Sequence, residues 1–154
     1  MSIVPATSVR AKSLGFRYNP GNLERWELDK ECANPPHPVD AVITDFERIQ
    51  LVDEGRVWIS ERDLVEKVRG MDLNLGQHTA EWMVLHQRYS PIPKIWREGY
   101  TLLPATRWRR TEGSLKGTLY VPTLYWEVGE WRLYFFPWLF KGTGRRAHVL
   151  RVNR

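Results

Sequence analysis

The segment Thr118–Phe136, with the sequence TLYVPTLYWEVGEWRLYFF, constrains the fold more than any other part of the chain. Its aromatic and β-branched residues are the types that fit the pleated surface of a strand. Gly129 interrupts the segment, and glycine as the first loop residue is typical of a two-residue type II′ turn. The sequence therefore predicts a β-hairpin with Gly129–Glu130 as its loop and Val128 opposite Trp131.

The predicted register places the hairpin's side chains on two faces of a sheet, one almost wholly apolar and expected to be core. The apolar face has Leu124, Trp126, Val128, Trp131, Leu133 and Phe135. The other face, with rings and charges, has Thr123, Tyr125, Glu127, Arg132, Tyr134 and Phe136. On it, Glu127 and Arg132 are expected to form an ion pair across the strands. Since side chains alternate along a strand, a register shifted by one residue would exchange the two faces.

Strand and turn signals predict further strands on both sides of this hairpin. Gly99–Arg110 is expected before it and Arg145–Val152 after it, so that the C-terminal half forms a meander. In the N-terminal half, Arg48–Val52 and Arg56–Ser60 flank the turn Asp53–Gly55 and predict a second hairpin.

Two helices are predicted between these strands. Ser60 is expected to cap the first helix, with Asp63 three residues later, and Gly70 is expected to end it. The second helix should run from about Gly76 to Tyr89, just before a Ser-Pro pair. The order of elements predicts an α+β fold. Its antiparallel β-sheet would combine the C-terminal meander with the N-terminal hairpin, and about two helices would pack on one face.

Length and proline positions predict the domain organisation. A chain of 154 residues suits one domain with its own hydrophobic core. Prolines at positions 20, 35, 36 and 38 break any regular period in the first part of the chain. We therefore expect residues 1–38 to form an N-terminal arm or irregular segment, and residues 39–154 to form a single α+β domain.

Cysteine usage and hydropathy predict a cytoplasmic protein without a membrane partner. Cys32 is the only cysteine, which excludes an internal disulfide or a cysteine-rich zinc site and favours a reducing compartment. The longest apolar run, Leu133–Phe140, is too short to span a bilayer. The first residues, MSIVPATSVRAK, lack the long apolar region of a secretory signal.

Charge is distributed unevenly along the chain. Residues 1–87 have 10 Lys and Arg against 14 Asp and Glu, a net charge of −4. Residues 88–154 have 13 Lys and Arg against 4 Asp and Glu, a net charge of +9, which gives the total of +5. A basic C-terminal half could bind a polyanion, or it could bind the chain's own acidic half.

Basic and aromatic residues alternate through the predicted C-terminal strands. Arginine neutralises phosphates with a planar fork, and exposed rings stack on unpaired bases. The candidate nucleic-acid-binding residues are Arg107, Arg109, Arg110, Tyr125, Arg132, Tyr134, Arg145, Arg146 and His148. Residues two apart on a strand share a face, as Arg146 and His148 would. The alternative is that the rings are core and the arginines form a solvated rim that balances the acidic half.

Patterns for metal-dependent or covalent catalysis are weak. His78 and Glu81 are three residues apart on the predicted second helix, but the motif lacks the second histidine of a metal site. The serine-nucleophile patterns G-x-S-x-G and S-x-x-K do not occur. Gly142 and Gly144 before Arg145 could cradle a phosphate, although a tight turn explains the same letters. The sequence therefore predicts no metal and no cofactor.

Four segments within residues 114–151 resemble the closing strands of RelE/HigB-type toxins. They are SLKG (Ser114–Gly117), LYWEV (Leu124–Val128), EWRLYFF (Glu130–Phe136) and RRAHVLR (Arg145–Arg151), with an insertion after the first. In those toxins, strand arginines and a C-terminal basic, tyrosine or histidine residue act on messenger RNA at the ribosome. The resemblance implies that Arg132, Arg146 and His148 would be the matching positions.

Three hypotheses from different classes follow. The main one is a non-catalytic protein that binds RNA or single strands with a basic, aromatic C-terminal sheet. The second is a protein-interaction module, a small inhibitor or adaptor, that docks an acidic or nucleoprotein partner. The third is a metal-independent endoribonuclease in which Arg132 and Arg146 hold the phosphate and His148 transfers a proton. Tryptophan and arginine are favoured on protein and nucleic-acid surfaces alike, so composition does not separate the first two.

Overall fold

A computed structural model describes residues 15–21, 23–29, 43–138 and 143–152. The strands in these ranges are β1 Trp26–Leu28, β2 Phe46–Gln50, β3 Trp58–Ile59, β4 Tyr100–Leu102, β5 Trp108–Arg110, β6 Leu119–Glu127, β7 Glu130–Pro137, β8 Thr143–Gly144 and β9 Ala147–Val152. The helices are α1 Glu61–Arg69 and α2 Gln77–Leu85, with 3₁₀ turns at Leu23–Arg25, Ile43–Asp45 and Lys94–Arg97.

Seven of these strands form one mixed sheet in which β6 has three neighbours. β7 pairs with β6 along nearly its whole length, and β4 and β5 share the opposite edge. The sheet continues from β5 to β1 and from β4 through β9 to β2, with the β4–β9 pair parallel. β3 and β8 form a separate two-stranded sheet. The predicted α+β class is confirmed, and the expected strand Gly99–Arg110 is present as β4 and β5, interrupted by residues 103–107.

The central hairpin forms, but its loop is Val128–Gly129 and not the predicted Gly129–Glu130. Both loop residues have positive φ, 50° and 77°, which makes a type I′ turn in place of the expected type II′. Trp126 therefore pairs with Trp131, and the register differs from the predicted one by two residues. Because two is an even number, each strand residue keeps its predicted face.

Each face of the sheet has its own hydrophobic core. Leu124 lies in one cluster with Met83 of α2, and Val121 lies in another with Leu64 of α1. Residues 121 and 124 have opposite parity on one regularly paired strand, so the two clusters lie on opposite faces. The apolar hairpin face is core, as predicted. One helix lies on each face, whereas the sequence predicted both helices on the same face. The second face also has buried apolar side chains, among them Val121 and Val149, and α1 packs on these.

The predicted second hairpin is wrong. β2 pairs with β9 from the far end of the chain, and β3 pairs with β8. Leu51 and Val52, which follow β2, are almost fully buried in the cluster with Leu64 of α1. The Leu51 N–H also donates to the Ala147 carbonyl oxygen at 3.0 Å, so the chain follows β9 past Gln50 and does not turn back along β2.

Local signals for the two helices are confirmed. The Ser60 hydroxyl accepts a hydrogen bond of 3.1 Å from the N–H of Asp63, and Gly70 is the C-cap of α1. α2 begins one residue after Gly76, as expected, but ends at Leu85 instead of Tyr89. The predicted closing strand is present as β9, but it pairs with β4 in parallel and with β2, so the predicted C-terminal meander is wrong in this part.

The first part of the chain contributes a strand that the sequence did not predict. β1 lies within the expected arm 1–38 and pairs with β5, with Trp26 opposite Arg110. Trp26 is buried and packs edge-on against Tyr120, with the ring centroids 4.8 Å apart. Most of residues 1–38, and Gly142 of the predicted tight turn, lie outside the described residues.

Val128→Asn should stabilise the protein. A β-branched residue at φ 50° is strained, whereas Asn-Gly is the preferred sequence of a type I′ turn. The Val128 side chain is 83% exposed, so the change removes little buried surface. We expect the free energy of unfolding, measured with urea, to rise by about 1 kcal/mol. Val57→Asn, at another exposed valine, is the matched control and should not stabilise; a loss of stability in Val128→Asn would contradict the turn assignment.

Candidate functional site

Two arginines of the basic segment before the hairpin are paired with an acid from the N-terminal part of the chain. The Asp29 side chain is buried, and one carboxylate oxygen lies 3.1 Å from Arg109 Nη2. The other oxygen lies 3.6 Å from Arg107 Nε. The pairing of β1 with β5 brings these residues together. For these two arginines, the basic half of the chain binds its own acidic half.

The third arginine of this segment also packs against β1. The guanidinium carbon of Arg110 lies 5.0 Å from the centroid of the Trp26 ring. Arg109 has a second acidic neighbour, Glu27 of β1, at 3.9 Å. Arg107, Arg109 and Arg110, all candidates for nucleic-acid binding, therefore hold β1 against β5 in this fold.

The candidates Tyr125, Arg132 and Tyr134 share the second face of the hairpin, as predicted. Tyr125 is directly opposite Arg132, and its ring lies 6.3 Å from that of Tyr134. The expected ion pair between Glu127 and Arg132 is replaced, because the shifted register puts Glu127 opposite Glu130. Arg132 Nη2 lies 3.3 Å from the Glu130 carboxylate, and the Tyr134 hydroxyl donates to Glu127. That hydrogen bond raises the pKa of Tyr134.

The remaining candidates, Arg145, Arg146 and His148, line one cleft. The cleft has a volume of about 510 Å³ and lies where β2, β9 and the turn Lys94–Arg97 meet. Its other polar side chains are Arg48 and Gln50 from β2 and Glu98 after the turn. We call it the basic cleft.

Arg48 is fixed in the basic cleft by three hydrogen bonds. Its Nε donates to Thr101 Oγ1 at 2.9 Å, and its Nη2 donates to the carbonyl oxygens of Trp96 at 3.1 Å and Glu98 at 2.6 Å. Burial lowers the pKa of Arg48 to about 10, against the opposing effect of the Glu98 charge. The guanidinium stays charged at pH 7 and is oriented before any ligand arrives.

The basic cleft has three arginines and one acidic side chain among its described residues. Within the described part of the chain, Arg48, Arg145 and Arg146 form no salt bridge, in contrast to Arg107 and Arg109. Glu98 is the only acidic side chain among the described residues that line the cleft. The cleft therefore has a net positive charge and attracts anions.

Arg146 connects the basic cleft to the aromatic face of the hairpin. Its Nη2 lies 3.4 Å from the hydroxyl oxygen of Tyr125, which pairs across β4 and β6 with Tyr100. The backbone at Gly99 lies directly against the backbone of Arg146, and a side chain at position 99 would not fit. Gly99 has φ 73°, and a Cβ at this position would lie 2.2 Å from the Arg146 carbonyl oxygen.

His148 lies in the basic cleft with one ring nitrogen against the backbone. Its Nδ1 lies 3.0 Å from the carbonyl oxygen of Arg146. A carbonyl only accepts hydrogen bonds, so Nδ1 donates, and in the neutral ring Nε2 is the acceptor nitrogen. Burial, followed by the charge of Arg48, lowers the pKa of His148. Both effects favour the neutral ring, which is able to accept a proton at Nε2.

The pair His78 and Glu81, the weak metal motif, anchors the N-terminal segment. The Glu81 carboxylate accepts hydrogen bonds from the backbone N–H groups of Arg17 at 2.9 Å and Tyr18 at 3.2 Å. The ring of His78 packs against Phe16 with 4.6 Å between centroids. No group of three or more His, Cys, Asp or Glu residues in the described ranges is arranged to hold a metal ion.

Sequence reasoning missed the residues that the N-terminal half and the turn Lys94–Arg97 bring to the site. Arg48 and Gln50 are two residues apart on β2, so their spacing alone would have predicted that they share a face. Arg97 borders a second cavity of about 350 Å³, and its guanidinium carbon lies 3.6 Å from the centroid of the Trp126 ring. Arg48 and Gln50 are far in sequence from Arg145, Arg146 and His148, which line the same cleft.

Comparisons with protein-family models, curated proteins and solved structures find no match to this chain. The resemblance of residues 114–151 to RelE/HigB-type toxins therefore stays a prediction from the sequence. The helices in the described ranges are too short or too polar to cross a membrane.

Asp29→Asn should destabilise the protein, because it removes the buried charge that Arg107 and Arg109 share. We expect the free energy of unfolding, measured with urea, to fall by about 2 kcal/mol, with solvent screening at the partly exposed arginines limiting the loss. Glu112→Gln, which removes an exposed ion pair with Arg25, is the control and should cost less than about 0.5 kcal/mol. Unchanged stability in Asp29→Asn would mean that these ion pairs do not hold β1 in place.

Proposed function

We propose that this protein binds RNA or other single-stranded nucleic acid, with backbone phosphates in the basic cleft. The observation that supports this most is the meeting of Arg48, Arg145 and Arg146 in one cleft, where none of them forms a salt bridge with a described residue. In the basic cleft, a phosphate oxygen can pair with the arginines in the way that the Asp29 carboxylate pairs with Arg107 and Arg109. Three cations opposed by one acid favour a polyanion over a neutral ligand.

Aromatic side chains next to the cleft favour unpaired bases over a duplex. Tyr125, which contacts Arg146, and its neighbour Tyr134 are half-buried and form part of the hairpin's second face. Rings of this kind stack on bases that are splayed out of a strand, which a duplex does not offer. The volume of the cleft, about 510 Å³, lies in the usual range for ligand sites and has room for a nucleotide.

The proposed interface is smaller than the set of candidates from the sequence. It excludes Arg107, Arg109 and Arg110, which pack against β1, and adds Arg48. Binding of this kind needs no metal and no cofactor. The single cysteine of the chain fits a cytoplasmic role.

A double variant with Arg145→Ala and Arg146→Ala should bind single-stranded RNA more weakly and with a smaller salt dependence. Each lost phosphate contact on a single strand reduces the slope of log K against log salt by about 0.7, so the slope should become less negative by about 1.4. Fluorescence anisotropy with a labelled RNA of about 12 nucleotides measures both quantities. Both side chains are exposed, so the fold should be unaffected.

The matched control is the double variant with Arg56→Ala and Arg62→Ala. These two arginines are exposed, lie outside the basic cleft and change the net charge by the same amount. The control should keep the wild-type slope; an equal change in both double variants would mean that net charge alone drives binding. If wild-type protein binds neither RNA, single-stranded DNA nor duplex DNA, the proposal is overturned, and an acidic protein partner becomes the leading hypothesis.

A second candidate function, endoribonuclease activity, is favoured by the position of His148. His148 lines the same cleft as Arg48 and Arg146, whereas Arg132 lines a different cavity. In this scheme His148 Nε2 accepts the proton of a ribose 2′-hydroxyl, and the 2′-oxygen forms a bond to the adjacent phosphorus. The bond from phosphorus to the 5′-oxygen breaks, and that oxygen takes a proton from water. The arginines stabilise the charge on the phosphate.

Under this second candidate, wild-type protein should cleave single-stranded RNA in EDTA and leave 2′-deoxy strands intact. The cleavage rate should rise with pH and level off at a lower pH than an ordinary histidine base would give, because burial and the charge of Arg48 lower the pKa of His148. His148→Asn should lose at least about 100-fold in rate while still binding RNA. His86→Asn, which lies outside the cleft, is the control. RNA that is bound but stays intact at every pH would leave the binding function and reject the nuclease.

A further inference from the structure

Arg97 is stacked on Trp126 at the second cavity. Its guanidinium carbon lies 3.6 Å from the centroid of the indole ring. At this distance the guanidinium plane must lie roughly parallel to the ring, because a nitrogen pointing at the ring would be inside van der Waals contact. One face of the planar cation is therefore covered by the indole, and its orientation is set by Trp126.

The other face of the guanidinium is open. The Arg97 side chain is exposed and borders the cavity of about 350 Å³, together with Arg88. Within the described part of the chain, neither arginine forms a salt bridge. Glu130 also lines the cavity, but its carboxylate pairs with Arg132 at 3.3 Å.

The second cavity and the basic cleft share the turn Lys94–Arg97. Ile95 and Trp96 line the basic cleft, and the next residue, Arg97, lines the second cavity. Ile95 is 74% exposed between them. The turn therefore borders both cavities.

We infer that an unpaired base stacks on the open face of Arg97, with Trp126 supporting the guanidinium from behind and Arg88 contacting an adjoining phosphate. Guanidinium planes stack on unpaired bases in the same way as aromatic rings, and the indole beneath fixes the plane in advance. This subsite rests on the proposed function, because the base belongs to the strand whose phosphates lie in the basic cleft. It adds base stacking to a site otherwise built on charge.

The test compares two single-stranded RNAs of about 12 nucleotides, an oligouridylate and the same backbone with abasic positions throughout its middle. Arg97→Ala should weaken binding of the oligouridylate about tenfold and binding of the abasic strand by no more than about twofold. Arg97→Lys keeps the positive charge but loses the planar surface, so it should show most of the same loss. Arg88→Ala should weaken both strands equally, as a phosphate contact would.

The outcomes separate the subsite from the function on which it rests. Equal losses on both strands in Arg97→Ala, or wild-type affinity for oligouridylate in Arg97→Lys, would overturn the subsite and leave nucleic-acid binding intact. Failure of the wild-type protein to bind either strand would overturn both. Thermal unfolding of each variant checks the fold, and Arg97→Lys keeps a cation over Trp126 in case Arg97→Ala unfolds.

Discussion

The pairing of β6 with three strands is the interaction on which the rest of the structure depends. With β7 on one edge and β4 and β5 on the other, the strand is enclosed, and Val121, Thr123 and Leu124 are inaccessible to solvent. Its two faces then each need a core, and each receives one helix. β4 also brings in β9 as a parallel neighbour, which puts Arg146 and His148 at the end of the sheet. The basic cleft therefore depends on β4, which pairs with β6 on one side and with β9 on the other.

Burial and charge divide the arginines of this protein into two groups. Arg107 and Arg109 face a buried carboxylate, because a half-buried cation without an acid would lose its hydration without compensation. Arg48 is also partly buried, but its partners are the carbonyl oxygens of Trp96 and Glu98, which orient the cation and leave its charge in place. The first group stabilises the fold. The second group consists of Arg48, Arg145 and Arg146 of the basic cleft, and the proposed function rests on it.

The features predicted correctly depend on neighbours in sequence. Ser60 caps α1 through a residue three positions away, and the strands of the hairpin are joined by two residues. Even the wrong turn type left the faces unchanged, because the error in register was an even number of residues. The pairing of β2 with β9 was missed for the opposite reason. Its partners are about a hundred residues apart, and the local pattern around Gly55 fits a hairpin equally well.

The sequence by itself determined the class of fold, the hairpin faces and the presence of a basic, aromatic C-terminal half, since these follow from periodicity, turn residues and charge. Only the tertiary structure decided which cations remain without an acid. Asp29 reaches its arginines because β1 pairs with β5, and Arg48 lies beside the basic C-terminal residues because β2 pairs with β9. Ion pairing acts through space, and residues distant in the chain become partners only when strand pairing has brought them within a few ångströms.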